Sequence, residues 1–98
     1  MHAQIVTFRL KPGCSREMFL ELSEQMAAWL KDQAGFVAYE LYEGAEGWAD
    51  RIVWETAASA REGRAGFRRT TLAQKIMHCV ENDYSSFLGN AVVSRGQE

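Results

Sequence analysis

The sequence predicts an α+β fold in which two helices cover one face of a four-stranded antiparallel sheet. Three observations predict it. The stretch Phe36–Glu55 alternates as two strands joined by a glycine-containing turn. A capped amphipathic helix precedes it, and the whole chain runs in the order strand, helix, strand, strand, helix, strand. Crossovers on the same side of the sheet give the ferredoxin-like βαββαβ arrangement.

In His2–Leu10, Val6, Phe8 and Leu10 share one face and Ala3, Ile5 and Thr7 the other, so this segment reads as a strand covered on both sides. Lys11-Pro12-Gly13-Cys14 breaks it, because Pro12 lacks a ladder N–H and Gly13 permits a turn. Ser15 is a good N-cap and Glu17 falls in the first turn. Met18, Leu22, Met26, Trp29 and Leu30 then recur at helical spacing with Phe19 beside them, which predicts a helix of about four turns. Gly35 stands where a terminating glycine belongs.

The Phe36–Glu55 hairpin holds two of the three tryptophans and two of the three tyrosines. Val37, Tyr39 and Leu41 alternate with Ala38, Glu40 and Tyr42; Trp48, Asp50, Ile52 and Trp54 alternate with Ala49, Arg51, Val53 and Glu55. Thr56 caps a second helix whose apolar stripe of Ala57, Ala60, Ala65 and Phe67 is thin. It is expected to pack closely and to be irregular near Gly66. Thr70 and Thr71 cap a further segment with Leu72, Ile76 and Val80 or Cys79 at helical spacing, so a break between the two pieces is expected. Ser86–Leu88 and Ala91–Val93 read as a last strand interrupted at Gly89-Asn90, followed by a tail that frays after Ser94.

Composition places all 98 residues in a single domain, with 47% hydrophobic and 24% charged residues. A net charge of −2 gives no field that favours nucleic acid or anionic lipid. No window has the length of a membrane span, and MHAQIVTFRL lacks the features of a signal peptide. Cys14 and Cys79 fit no metal-ligand spacing and read as reduced thiols of a cytoplasmic protein. Three Trp, five Phe, three Tyr and four Met are a heavy apolar load for so small a chain. The helix-free face of the sheet must carry Trp48 or Val53, Tyr39 or Tyr42, and Ile5 or Phe8. A homodimer joined sheet to sheet would bury that face, a reading that leans most on Trp48 and Trp54.

FRLKPG before a capped helix, WLKDQAGFVAYELYE, and DRIVWET leading into an alanine-rich helix together resemble the dimeric α+β barrel superfamily, and within it the antibiotic biosynthesis monooxygenase-like (ABM) domains. The resemblance covers nearly the whole chain. It implies a homodimer, and it admits cofactor-free quinone-forming monooxygenases, haem-degrading enzymes, muconolactone isomerase-like proteins and members without a known reaction. Haem-degrading members use an Asn on the first strand, a Trp on the second helix and a His about ten residues beyond. Here the first strand has no Asn, Phe67 holds the helix position, Met77 lies ten residues on and His78 is displaced by one. An irregular stretch from Gly66 to Thr71 would absorb that displacement.

The function these readings imply is cofactor-independent monooxygenation of an aromatic or polyketide-like molecule, without metal; the alternative is a non-catalytic dimer that binds a small molecule or a protein. His78 is the candidate catalytic residue, since an imidazole titrates near neutrality, against its reading as a helix-end surface histidine. Tyr39, Tyr42, Trp54 and Phe67 are the candidate substrate-binding residues, against their reading as core and interface packing. Glu40 and Asp50, near Arg51 or Arg9, read either as a buried carboxylate base or, in preference, as a cross-strand ion pair. Arg61, Arg64 and Arg68 share a helix face that reads as solvated, with an anionic ligand as the sharper alternative. His2, beside the terminus, reads as surface-exposed.

Overall fold

Residues 1–96 are described by the structure, a computed structural model. Strand β1 (His2–Phe8) leads to helix α1 (Arg16–Lys31), the hairpin of β2 (Phe36–Gly44) and β3 (Gly47–Trp54), helices α2 (Ala57–Arg68) and α3 (Thr71–Cys79), and strand β4 (Ser85–Asn90). The four strands form one antiparallel sheet in the order β2-β3-β1-β4, with the helices on one face. This is the expected ferredoxin-like arrangement, its second helix divided in two.

Helix boundaries follow the caps. Ser15 Oγ accepts from the Met18 N–H at 3.1 Å, and Thr56 and Ser59 form a reciprocal capping box at 3.0 and 3.2 Å. Thr70 serves two helices. Its hydroxyl donates to the Phe67 carbonyl at 2.7 Å, closing α2, and accepts from the Ala73 N–H at 3.0 Å, opening α3. α2 runs unbroken through Gly66, so the irregularity lies at Arg69–Thr70 instead.

The strand register decides which side chains meet the helices. On β1 and β3 these are His2, Gln4, Val6 and Phe8, opposite Trp54, Ile52, Asp50 and Trp48. On β2 a bulge at Val37 breaks the simple alternation. Phe36 pairs with Trp54 and Tyr39 with Ile52, so both aromatics turn inward although they are three residues apart, while Val37 is left exposed.

The buried core has two parts. Phe8, Cys14, Phe19, Cys79 and Val80 form one, and Met26, Leu30, Ile52, Trp54 and Ala60 the other. Trp48 packs against the first and Trp54, only 1% exposed, belongs to the second. Both tryptophans therefore face the helices, and the helix-free face is carried by Ile5, Val53, Tyr42 and Phe87 around a Glu40–Arg51 ion pair of 2.6 Å. The reading that rested that face on tryptophan is corrected by the register.

Other positions depart from expectation for local reasons. Met18 is exposed and Ser23 takes a place on the buried side of α1 with Phe19, Met26 and Leu30. His2 is buried, its Nδ1 3.0 Å from Asn90 Oδ1 across the β1–β4 pair. The last strand ends at Asn90, and Val92 and Val93 are exposed outside it. Of the tail, residues 97 and 98 lie outside the described residues.

The contact that sets the distance between α2 and the sheet is Gly63 on Trp54. A Cβ at Gly63 would lie 2.1 Å from Trp54 Cη2, so the helix or the almost fully buried indole would have to shift. Gly63→Ala is therefore expected to lower the free energy of unfolding by about 1–3 kcal/mol in urea titration, despite a helix-propensity gain of up to about 1 kcal/mol. An unchanged or higher midpoint would show that the helix lifts off without cost.

Candidate active-site cavity

Between the helix layer and the sheet lies a cavity of about 390 Å³, walled by side chains from both parts of the core. Its volume falls in the range of about 300–1,000 Å³ usual for small-molecule sites. Aromatic pairs brace it: Phe19 stands 5.3 Å from Phe8 and 5.4 Å from Trp48, and Trp29 stands 5.3 Å from Phe67, ring centre to ring centre. Met77, Tyr84 and Leu88, all exposed, line its solvent side.

The polar groups in this apolar setting are few. Gln4 Oε1, Asp50 Oδ1, Trp54 Nε1 and Arg64 Nη1 are each buried without a protein hydrogen-bond partner, and all four residues line the cavity. Buried polar atoms are almost always paired, so four such atoms around one space give an otherwise apolar cavity a polar lining that protein groups leave free.

Asp50 reaches the cavity because β3 alternates, placing it on the helix side between Trp48 and Ile52. Burial pushes its carboxyl up from the ordinary value of 3.8 to about 7. Tyr39, inward from β2, shares a hydrogen bond of 2.7 Å with Ser23 Oγ. Burial pushes its phenol up to about 12, the Ser23 bond opposes this, and the negative Asp50 adds to it. At neutral pH the cavity thus holds a carboxyl near its midpoint beside a phenol that keeps its proton. On α2, Arg64 is held below the ordinary guanidinium range, first by burial and then by Arg68 and Arg61.

Of the residues singled out from the sequence, Tyr39, Trp54 and Phe67 line the cavity. Tyr42 does not. It lies on the other face of the sheet, donating to Glu40 at 2.8 Å, and lines a separate depression at the hairpin end. His78 is exposed and is not a cavity residue, whereas its neighbour Met77 is. The single-residue displacement from the haem-degrading pattern therefore persists in three dimensions. Glu40 and Asp50 divide between their two readings: Glu40 is the surface ion-pair carboxylate, held low by Tyr42 and Arg51, and Asp50 is the buried one.

Arg64 and Arg68, read as a solvated run, both line the cavity, as do Gln4 and Ser23, which sequence reasoning passed over. A signal for Gln4 and Asp50 existed. Each is the polar member of an otherwise large and mostly apolar alternate set, His2-Gln4-Val6-Phe8 and Trp48-Asp50-Ile52-Trp54.

The two thiols, Cys14 and Cys79, are free and buried in the same core cluster, where burial and the neighbouring Cys79 push Cys14 up to about 11. Among the described residues no group of three or more His, Cys, Asp or Glu is placed to hold a metal ion, and no helix is long and apolar enough to cross a membrane.

No protein-family model matches the sequence, and no curated protein matches it. Solved structures do. SnoaB, a cofactor-independent oxygenase from Streptomyces nogalater, is 18% identical with a TM-score of 0.82, covering 98% of this chain and 97% of its own. At3g17210 from Arabidopsis thaliana is 12% identical with a TM-score of 0.82, covering 97% of this chain and 99% of its own. A protein described as an antibiotic biosynthesis monooxygenase is 20% identical with a TM-score of 0.78, covering 95% of this chain and all of its own. Identities this low speak for the fold alone, and that fold is shared over nearly the whole length of each chain.

Proposed function

We propose that the protein is a cofactor-independent monooxygenase of an aromatic, phenolic or polyketide-like molecule bound in the cavity between helices and sheet, with Asp50 in place of His78 as the proton acceptor. The observation that carries this reading is the unpartnered, buried Asp50 carboxyl with a pKa of about 7. Likeness of fold to a cofactor-independent oxygenase supports it.

The chemistry needs little from the protein. Asp50 accepts a proton from an activated methylene of the ligand, and the Tyr39 hydroxyl is available to hydrogen-bond the oxyanion that results. The electron-rich anion passes one electron to dioxygen, and the two radicals join as a peroxide that takes the proton back from Asp50. Loss of the second C–H proton with cleavage of the O–O bond leaves a carbonyl and expels hydroxide, which becomes water. The ligand carbon supplies all four electrons that reduce dioxygen; one oxygen atom stays in the product. Apolar walls of Phe8, Phe19 and Ile52 keep the anion poorly solvated, which favours its reaction.

Oxygen uptake with 1,8-dihydroxyanthrone, measured above the buffer rate, tests this. The rate is expected to rise with pH through about 7 as Asp50 ionises, to fall about 10²–10⁴-fold in Asp50→Asn, and to survive in His78→Ala. Full activity in Asp50→Asn would remove the base from the scheme.

The same carboxyl sets a pH dependence of stability. Its folded-state pKa of about 7 lies above the ordinary 3.8, so between these values the native state binds the extra proton and stability falls as pH rises. The cost is complete above pH 7 and is on the order of 4 kcal/mol for the whole shift. Asp50→Asn is expected to raise the urea midpoint clearly at pH 8 and little at pH 4. Equal gains at both would show that burial of the charge is not the cause.

The helix-free face supports the rest of the reading: a homodimer joined through Ile5 and Phe87, the latter 64% exposed. Two buried free thiols accord with a cytoplasmic location. Light scattering is expected to return about 22 kDa, twice the chain mass of 11.1 kDa, and Phe87→Glu to shift it toward the monomer. A wild-type mass of one chain would end the sheet-to-sheet argument.

A further inference from the structure

We propose that the ligand of this cavity carries a carboxylate, and that Arg64 is the residue that binds it. The inference rests on the cavity being the ligand site, and it adds which chemical class enters and how it is oriented. Arg64 is delivered to the cavity by α2, one residue beyond the Gly63–Trp54 contact that holds the helix close to the sheet. One terminal nitrogen of its guanidinium is sealed from solvent and has no hydrogen-bond partner among the described residues.

Among the described residues nothing neutralises it. The ion pairs among the described residues are Arg9–Asp83, Arg16–Glu43 and Arg51–Glu40. The single acidic side chain lining the cavity is Asp50, whose raised pKa has burial as its cause and shows no compensating cation. The neighbours of Arg64 deepen the deficit, because Arg68 also lines the cavity and Arg61 lies one turn before it. A positive charge held partly out of water among other positive charges favours an incoming anion.

The anion is a carboxylate because of shape. A guanidinium presents parallel N–H groups in a plane, which two coplanar oxygens accept as a bidentate pair. The cavity wall is aromatic on this side, with Phe67 and the Trp54 indole both lining it. An aryl or polyketide acid answers both features, with its acid at Arg64 and its reacting carbon toward Asp50 and Tyr39.

Quenching of tryptophan fluorescence at pH 7.5 tests the inference with 1-naphthol, 1-hydroxy-2-naphthoic acid and 1-naphthyl phosphate as probes. The acid is expected to bind the wild type and Arg61→Gln at least about tenfold more tightly than 1-naphthol, equivalent to about 1.4 kcal/mol. In Arg64→Gln the ratio is expected to fall to about one, with 1-naphthol affinity unchanged as the sign of an intact cavity. A ratio near one in the wild type, or one preserved in Arg64→Gln, would overturn the carboxylate and leave the cavity standing. Tighter binding of the phosphate than of the acid would overturn it in favour of a phosphoryl ligand. Failure of all probes to bind would overturn both the carboxylate and the cavity.

Discussion

Trp54 packed against Gly63 is the contact on which the rest of the structure depends. The indole is among the most buried side chains, and the missing Cβ lets α2 come within van der Waals reach of β3. Phe36, 6.0 Å away ring centre to ring centre, packs edge-on against its other side. Because the helix is fixed here, the side chains that follow on α2, Arg64, Phe67 and Arg68, are carried over the sheet. The cavity exists because large rings at either end, Trp54 with Phe36 and Phe19 with Trp48, hold the layers apart between them. Unfilled apolar volume lowers stability, so a space of this size between two well-packed clusters is kept at a cost that packing alone does not reward.

The same cost appears in the electrostatics. A carboxyl and a guanidinium line one cavity, yet each is shifted toward its neutral form by burial and neither is paired with the other. Were the region only a core, Leu or Val at both positions would be more stable. Orphaned Gln4 and Trp54 atoms add to the deficit. Local violations of the rule that buried polar groups are satisfied are concentrated around this one cavity, and that concentration is what supports reading it as the site.

Most of the fold was legible because each element carried its own signal: Ser15, Thr56 and Thr70 as caps, period-2 alternation in β1 and β3, and a wide apolar stripe on α1. What stayed hidden depended on register. The bulge at Val37 is silent in the alternation of β2, so the sharing of one face by Phe36 and Tyr39 emerged only from the pairing with β3. Of the aromatic residues singled out in the sequence, Tyr39, Trp54 and Phe67 line the cavity. The polar lining was less legible. α3 turns Ala73 and Cys79 inward and leaves His78 exposed. Arg64 looks like one more surface arginine until the close approach at Gly63 shows which side of α2 is covered.

β3 shows the same dependence on register. Asp50 and Arg51 are consecutive, and the pleat sends one into the cavity and the other to the helix-free face, where it pairs with Glu40. Composition alone suggests that Asp50 would find a cation, since Arg51 is adjacent and Arg9 is near in sequence pattern; alternation forbids it. A slip of one residue would place Arg51 among the apolar walls and Asp50 on the outer face, abolishing the site and breaking the outer ion pair together. The Trp48-Asp50-Ile52-Trp54 set prevents the slip, because moving it outward would expose both indoles and an isoleucine to water. The large apolar members of β3 thus do for the carboxyl what no hydrogen bond does: they hold a group that would rather be solvated on the dry side of the sheet.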